Sequence, residues 1–190
     1  MGKIWESMET KLIVVPKFRH TLHFELDYKM PNYIRTKQEG GCYFFTVVTY
    51  RRQPFLTNNL ARYFLRNAIM RTRQNYPFKI DAWVLLPDHL HCIWTLPEND
   101  TNYSTRWNII KTLFTRQAKS YYHSPEWMTE AKIKYRESTI WQRRFWEHTI
   151  QDEADYLHHI NYIYNNPVKH GLVEQPQDWL YSTYHSIESK

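Results

Sequence analysis

Two short patterns in the chain bring together residue types capable of chemistry. His89 and His91 frame a single leucine immediately after Pro87-Asp88. In a β-strand, residues two apart project from one face, so both imidazoles would point the same way and make half of a metal site. Tyr162 and Asn166 stand four apart near the C-terminus, flanked by His158 and His159. On a helix that spacing puts phenol and amide on one face, about 5–6 Å apart at Cβ, so one can attack while the other holds a metal. Ten histidines and fifteen tyrosines also generate such pairs by chance. Ordinary strand histidines and a surface aromatic are therefore the competing interpretation of each pattern taken alone.

The elements that must position these residues follow from periodicity. Cys42 to Tyr50 is dense in β-branched and aromatic residues and reads as a strand buried on both faces. A helix is expected over 59–75, with Leu60, Phe64, Ala68 and Ile69 inward and Arg62, Arg66, Arg71 and Arg73 on its other sides. Ile80–Leu86 and His89–Leu96 read as two strands joined in a tight hairpin across Pro87-Asp88. Ser104 is placed to cap a helix over 105–122 that buries Trp107, Ile110, Leu113, Phe114 and Ala118 and leaves Arg106, Lys111, Arg116 and Lys119 as a basic outer side. Thr139 to Trp146 reads as a fourth strand. The order β-α-β-β-α-β is the split βαβ of ferredoxin-like folds: an α+β antiparallel sheet with two helices on one face and the other free for a ligand. A last helix, capped by Asp152, is expected to run to Asn165 or Asn166, where Pro167 ends it, with a turn at Gly171. On it Leu157, Ile160 and Tyr164 share one side and Tyr162 and Asn166 the opposite one.

Composition narrows the class. With 190 residues, 42% hydrophobic and 17% aromatic, the chain suits one folded domain over 38–190, preceded by a partly irregular extension over 1–37 in which Met30 is a candidate alternative start. The net charge of +6 favours a polyanionic partner. No early apolar run is long enough for a signal peptide or a membrane span, so a cytoplasmic protein without membrane contact is expected. Cys42 and Cys92 are isolated in apolar runs and read as buried reduced thiols. None of the four glycines builds a Gly-X-Gly or Walker loop, which argues against a nucleotide cofactor.

Three segments then carry a resemblance: Leu85-Leu86-Pro87-Asp88-His89-Leu90-His91, Arg144-Phe145-Trp146-Glu147-His148, and Tyr162 through Gly171 with Asn165-Asn166-Pro167-Val168-Lys169-His170 between them. In this order they resemble the signatures of the REP-associated tyrosine transposases, relatives of the IS200/IS605 single-tyrosine transposases within the HUH endonucleases. The similarity extends from about Tyr33 to about His185. It implies that His89 and His91 are metal ligands, that Tyr162 is the catalytic nucleophile, and that Asn166 is a ligand where insertion-sequence relatives carry a glutamine. It also implies a divalent ion, Mg²⁺ or Mn²⁺, and a substrate of single-stranded DNA folded as a REP-type hairpin.

That chemistry is consistent with the residues. A phosphotyrosine retains phosphodiester energy, so nicking and rejoining through it need no ATP, which fits the missing P-loop. Candidates for gripping DNA are Arg35 and Lys37 before the first strand, Arg51 and Arg52 after it, Arg143 and Arg144 near the catalytic helix, and Lys169 and His170 beyond it. Each is equally readable as a solvated charge. A monomer with its tyrosine acting in cis and a homodimer with it acting in trans are both open. Two rivals remain: a noncatalytic nucleic-acid module on an RRM-like sheet, and a metal-dependent phosphodiesterase in which water attacks.

Overall fold

The computed structural model describes residues 38–186. The 1–37 extension, with Met30, Arg35 and Lys37, lies outside the described residues. Four strands, β1 (Cys42–Val48), β2 (Lys79–Leu85), β3 (His89–Thr95) and β4 (Trp146–Thr149), form one sheet in the order β2-β3-β1-β4. Each strand pairs antiparallel with its neighbours. Helices α1 (Asn59–Asn75) and α2 (Tyr103–Tyr122) complete the expected βαββαβ plan. A short α3 (Glu130–Lys134) and a long α4 (Glu153–Lys169) follow α2, before and after β4 respectively.

Strand alternation sorts the apolar residues into two cores. Tyr43, Phe45, Val47, Leu90, Cys92 and Trp94 point to the face covered by α1 and α2, where Trp94 stacks on Trp107 at 4.2 Å. Cys42, Phe44, Val84 and Ile93 point to the other face, where Ile160, Ile163 and Tyr164 of α4 pack on them. The second face is therefore not left free: α4 lies on it. His89 and His91 share the parity of Ile93 and so face α4, not α1 and α2. Both cysteines are buried and free, as expected.

Several expectations are corrected. The fourth strand is Trp146–Thr149, not Thr139–Trp146. Thr139, Ile140 and Trp141 are buried, and the run meets the end of β1 and the residues after it through isolated contacts: the Thr49–Trp141 bridge, the Tyr50 N–H to the Ile140 carbonyl and the Gln142 N–H to the Val48 carbonyl. Their apolar density serves core filling, with Trp141 edge-on to Phe114, rather than a continuous ladder. Helix α2 is capped by Asn102, whose side chain accepts from the Thr105 N–H, while Ser104 already lies in the first turn. Arg106 does not belong to a basic outer side; it is fully buried and pairs with Asp100 at 2.6 Å. Lys111 also turns inward, donating to the carbonyls of Gln142 and Arg143.

Helix α4 is capped as expected by Asp152, which accepts from the Asp155 N–H at 2.8 Å. It continues through Pro167 to Lys169 instead of ending there. Proline removes one donor and crowds one carbonyl, but the bonds that close the last turn come from residues beyond it: His170 N–H to the Asn166 carbonyl and Leu172 N–H to the Pro167 carbonyl. Gly171, at φ 66°, supplies the left-handed residue that stops the helix. Leu157 is 49% exposed, so the core stripe runs through Tyr156, Ile160, Ile163 and Tyr164.

Candidate functional site

The site forms where β3 meets α4. His89 and His91 open β3 with ring centroids 4.9 Å apart, and both are buried. Tyr162 lies edge-on to His91 at 5.1 Å, and His170 edge-on to His89 at 5.1 Å. Tyr162, Asn166 and His170 succeed one another at intervals of four along one side of α4 and its end, so Asn166 lies on that side between the two residues whose rings meet the histidine pair. Asn166 is 1% exposed, and neither polar atom of its amide has a hydrogen-bond partner among the described residues.

Each imidazole is held through Nδ1. Asp88 accepts from the Nδ1–H of His89 at 2.5 Å, and Thr46 Oγ1 hydrogen-bonds Nδ1 of His91 at 2.8 Å. Engaging both Nδ1 atoms leaves both Nε2 atoms for a ligand, the arrangement that outer partners impose on metal-binding histidines. Burial pulls the His89 pKa below its ordinary value, against the opposing carboxylate of Asp88. For His91, burial and then the neighbouring His89 lower it to about 3. Both rings are thus neutral at pH 7, the form with a lone pair to give. Burial pushes the Asp88 carboxyl up, but its bonds to His89 and Arg52 outweigh this and hold it below the usual range.

Two buried neutral imidazoles and an orphaned buried amide fit a divalent ion, since together they offer three uncharged donors on facing elements. Asp88 and Thr46 were not anticipated as site residues. Asp88 could have been found from its place directly before His89, whereas Thr46 is revealed only by the β1–β3 register that pairs it with His91.

The basic candidates divide. Arg52 bonds Asp88 at 3.0 Å and thereby joins the His89 network. Lys169 lies 5.3 Å from the Tyr162 ring, and His170 contacts His89. Arg51 instead sits over Trp127 and Tyr50. Arg143 pairs with Glu137 at 3.1 Å and lies over Tyr135, and Arg144 is exposed in the stretch before β4.

This sheet, with a histidine pair on a central strand and a tyrosine on the helix that covers it, defines an α+β class with a two-histidine, one-tyrosine centre. A family model described as IS200-like transposase matches residues 37–166, and the chain belongs to that family. The REP-associated tyrosine transposase of Escherichia coli K12 is 45% identical over 157 residues, covering 82% of this chain and 84% of that protein. A Haemophilus influenzae relative, provisionally described in the same words, is 47% identical over 157 residues, covering 82% of this chain and 86% of that protein. A solved REP-associated tyrosine transposase bound to a REP hairpin superposes with a TM-score of 0.67 at 46% identity, covering 82% of this chain and 84% of that one. No helix among the described residues is long and apolar enough to cross a membrane.

Proposed function

We propose that the protein is a metal-dependent single-stranded DNA transposase that nicks and rejoins DNA at REP-type hairpins, with Tyr162 as nucleophile. The observation that carries this reading is the contact of Tyr162 with His91 at 5.1 Å within one chain, with the unsatisfied Asn166 amide beside it. The family membership and the hairpin bound by the solved relative support the substrate class.

His89, His91 and Asn166 would hold a divalent ion, Mg²⁺ or Mn²⁺, which when bound supplies Lewis-acid polarisation of the scissile phosphate. Tyr162 attacks phosphorus: its oxygen–phosphorus bond forms, the bond to the 3′-oxygen breaks, and the phenolic proton leaves to solvent or to the departing oxygen. The products are a 5′-phosphotyrosine and a free 3′-hydroxyl. Attack by a second 3′-hydroxyl reverses the step and transfers the strand. Asp88 and Thr46 keep the histidine rings oriented throughout. Arg52, Lys169 and His170 border the centre and would meet the DNA backbone, with phosphate contacts carrying most of the affinity.

The test is incubation of the full chain with an end-labelled REP-type hairpin oligonucleotide and Mn²⁺, resolved on a denaturing gel. Wild type should give a covalent protein–DNA band, and Tyr162→Phe should bind the hairpin equally well and give none. Cleavage without the band would instead identify water as the nucleophile, and binding with neither would identify a noncatalytic module.

A further inference from the structure

We propose that His148, Asp155 and His159 form a second metal site, for Zn²⁺ or a similar transition-metal ion, that ties β4 to α4. Among the described residues these three are the set of histidine and carboxylate side chains whose ligand atoms all lie within 4.8 Å of one another. His148 Nε2 lies 2.8 Å from Asp155 Oδ2, and His159 Nδ1 lies 3.0 Å from Asp155 Oδ1. Ligands at zinc bond lengths in a tetrahedron stand about 3.3 Å apart, so a small spreading of these atoms would admit an ion. Two imidazoles with one carboxylate are a donor set that suits Zn²⁺ or Co²⁺ better than Mg²⁺, which demands oxygen.

The geometry is more than a helix cap. Asp155 does accept from the Gln151 N–H at 3.0 Å, as a first-turn carboxylate can. Capping does not require a histidine from a separate strand, yet His148 of β4 reaches the same carboxylate that His159 meets one helical turn later. The two rings lie parallel, 4.7 Å apart. The ring nitrogens facing Asp155 donate N–H to its carboxylate, and His159 Nδ1 also to the Asp155 carbonyl at 2.9 Å; an ion here displaces these protons and takes the lone pairs in their place. The side chains are 34%, 18% and 14% exposed for His148, Asp155 and His159, which leaves a solvent side for entry and for a water as fourth ligand.

This centre is distinct from the His89–His91 pair. The Phe44 ring stands between them, 5.5 Å from His91 and 4.7 Å from His159. Its effect would be mechanical: His159 precedes Tyr162 by three residues, so an ion here fastens the helix that carries Tyr162 to the edge strand of the sheet.

Titration of the chelator-stripped full chain with Co²⁺, followed by visible absorption and equilibrium dialysis, tests it. Wild type should bind two equivalents. The His89→Ala/His91→Ala double variant should keep one, with tetrahedral bands, and Zn²⁺ should still raise its melting temperature. Adding His148→Ala to that variant should abolish both signals, and so should Asp155→Asn, which keeps an acceptor for the Gln151 N–H. No Co²⁺ binding by the double variant, or binding undiminished by His148→Ala and Asp155→Asn, would overturn it.

Discussion

Asn166 is almost wholly buried, yet its amide makes no hydrogen bond to any described residue. An unsatisfied buried polar group costs about 1–3 kcal/mol, so a residue kept for folding alone would be apolar here. Replacing it by the near-isosteric leucine should therefore hold or raise the urea midpoint while weakening Mn²⁺ binding, read by calorimetry, at least as much as the roughly tenfold expected from disturbing an outer-shell partner. A parallel fall in stability and in Mn²⁺ affinity would mark Asn166 as a packing residue. The neighbouring prediction concerns Asp88: Asp88→Ala removes the acceptor of the His89 Nδ1–H and should likewise lower Mn²⁺ affinity by about tenfold or more, with Tyr162 untouched. At this scale the shared strand face of the histidine pair and the shared helix face of the tyrosine and the amide were legible in local spacing, while their roles came only as what the family resemblance implies. Thr46 was not legible, because its contact with His91 exists only once two strands pair in register.

Among the elements, regular periodicity made the three long helices α1, α2 and α4 and three of the strands legible, and tertiary anchoring decided the rest. The run Thr139-Ile140-Trp141 has strand-like composition but fills the core beside Phe114, and β4 starts only at Trp146. Arg106 has the spacing of an outer-face residue, but Asp100, Pro77 and Asn102 draw its guanidinium in. That pair gives a pH prediction. The Arg106 hydrogen bond is the main cause holding the Asp100 carboxyl below its ordinary value. Its folded pKa is therefore lower than its unfolded one, so the stabilisation is present above the unfolded value near 4 and is lost as pH falls through the folded value. Asp100→Asn should lower stability at pH 7 by about 1.5–3 kcal/mol, and the loss of stability on acidification below pH 4 should be smaller in the variant than in wild type, measured by urea unfolding. At the end of α4, Gly171 has φ 66°, and a Cβ there would meet no atom within 4 Å. Gly171→Ala should therefore cost about 1 kcal/mol in urea unfolding, from backbone conformation alone.

For the whole molecule the open question is whether Tyr162 serves its own histidine pair or that of a second copy. The described chain brings Tyr162 to its own His91 at 5.1 Å. Exchange between copies would require α4 to leave the sheet, uncovering Ile160, Ile163 and Tyr164, which are buried against Phe44, Val84 and Ile93. At about 1.5–3 kcal/mol for each large apolar side chain, such an opening costs several kcal/mol unless a partner helix fills the same bed. The fold therefore favours catalysis in cis. Equimolar mixing of His89→Ala, which keeps the tyrosine, with Tyr162→Phe, which keeps the histidine pair, should yield no more covalent protein–DNA adduct than the two variants give separately. Swapped helices would unite the intact tyrosine of one copy with the intact histidines of the other, so recovery of adduct in the mixture, together with a dimer mass by light scattering, would show that α4 crosses between copies.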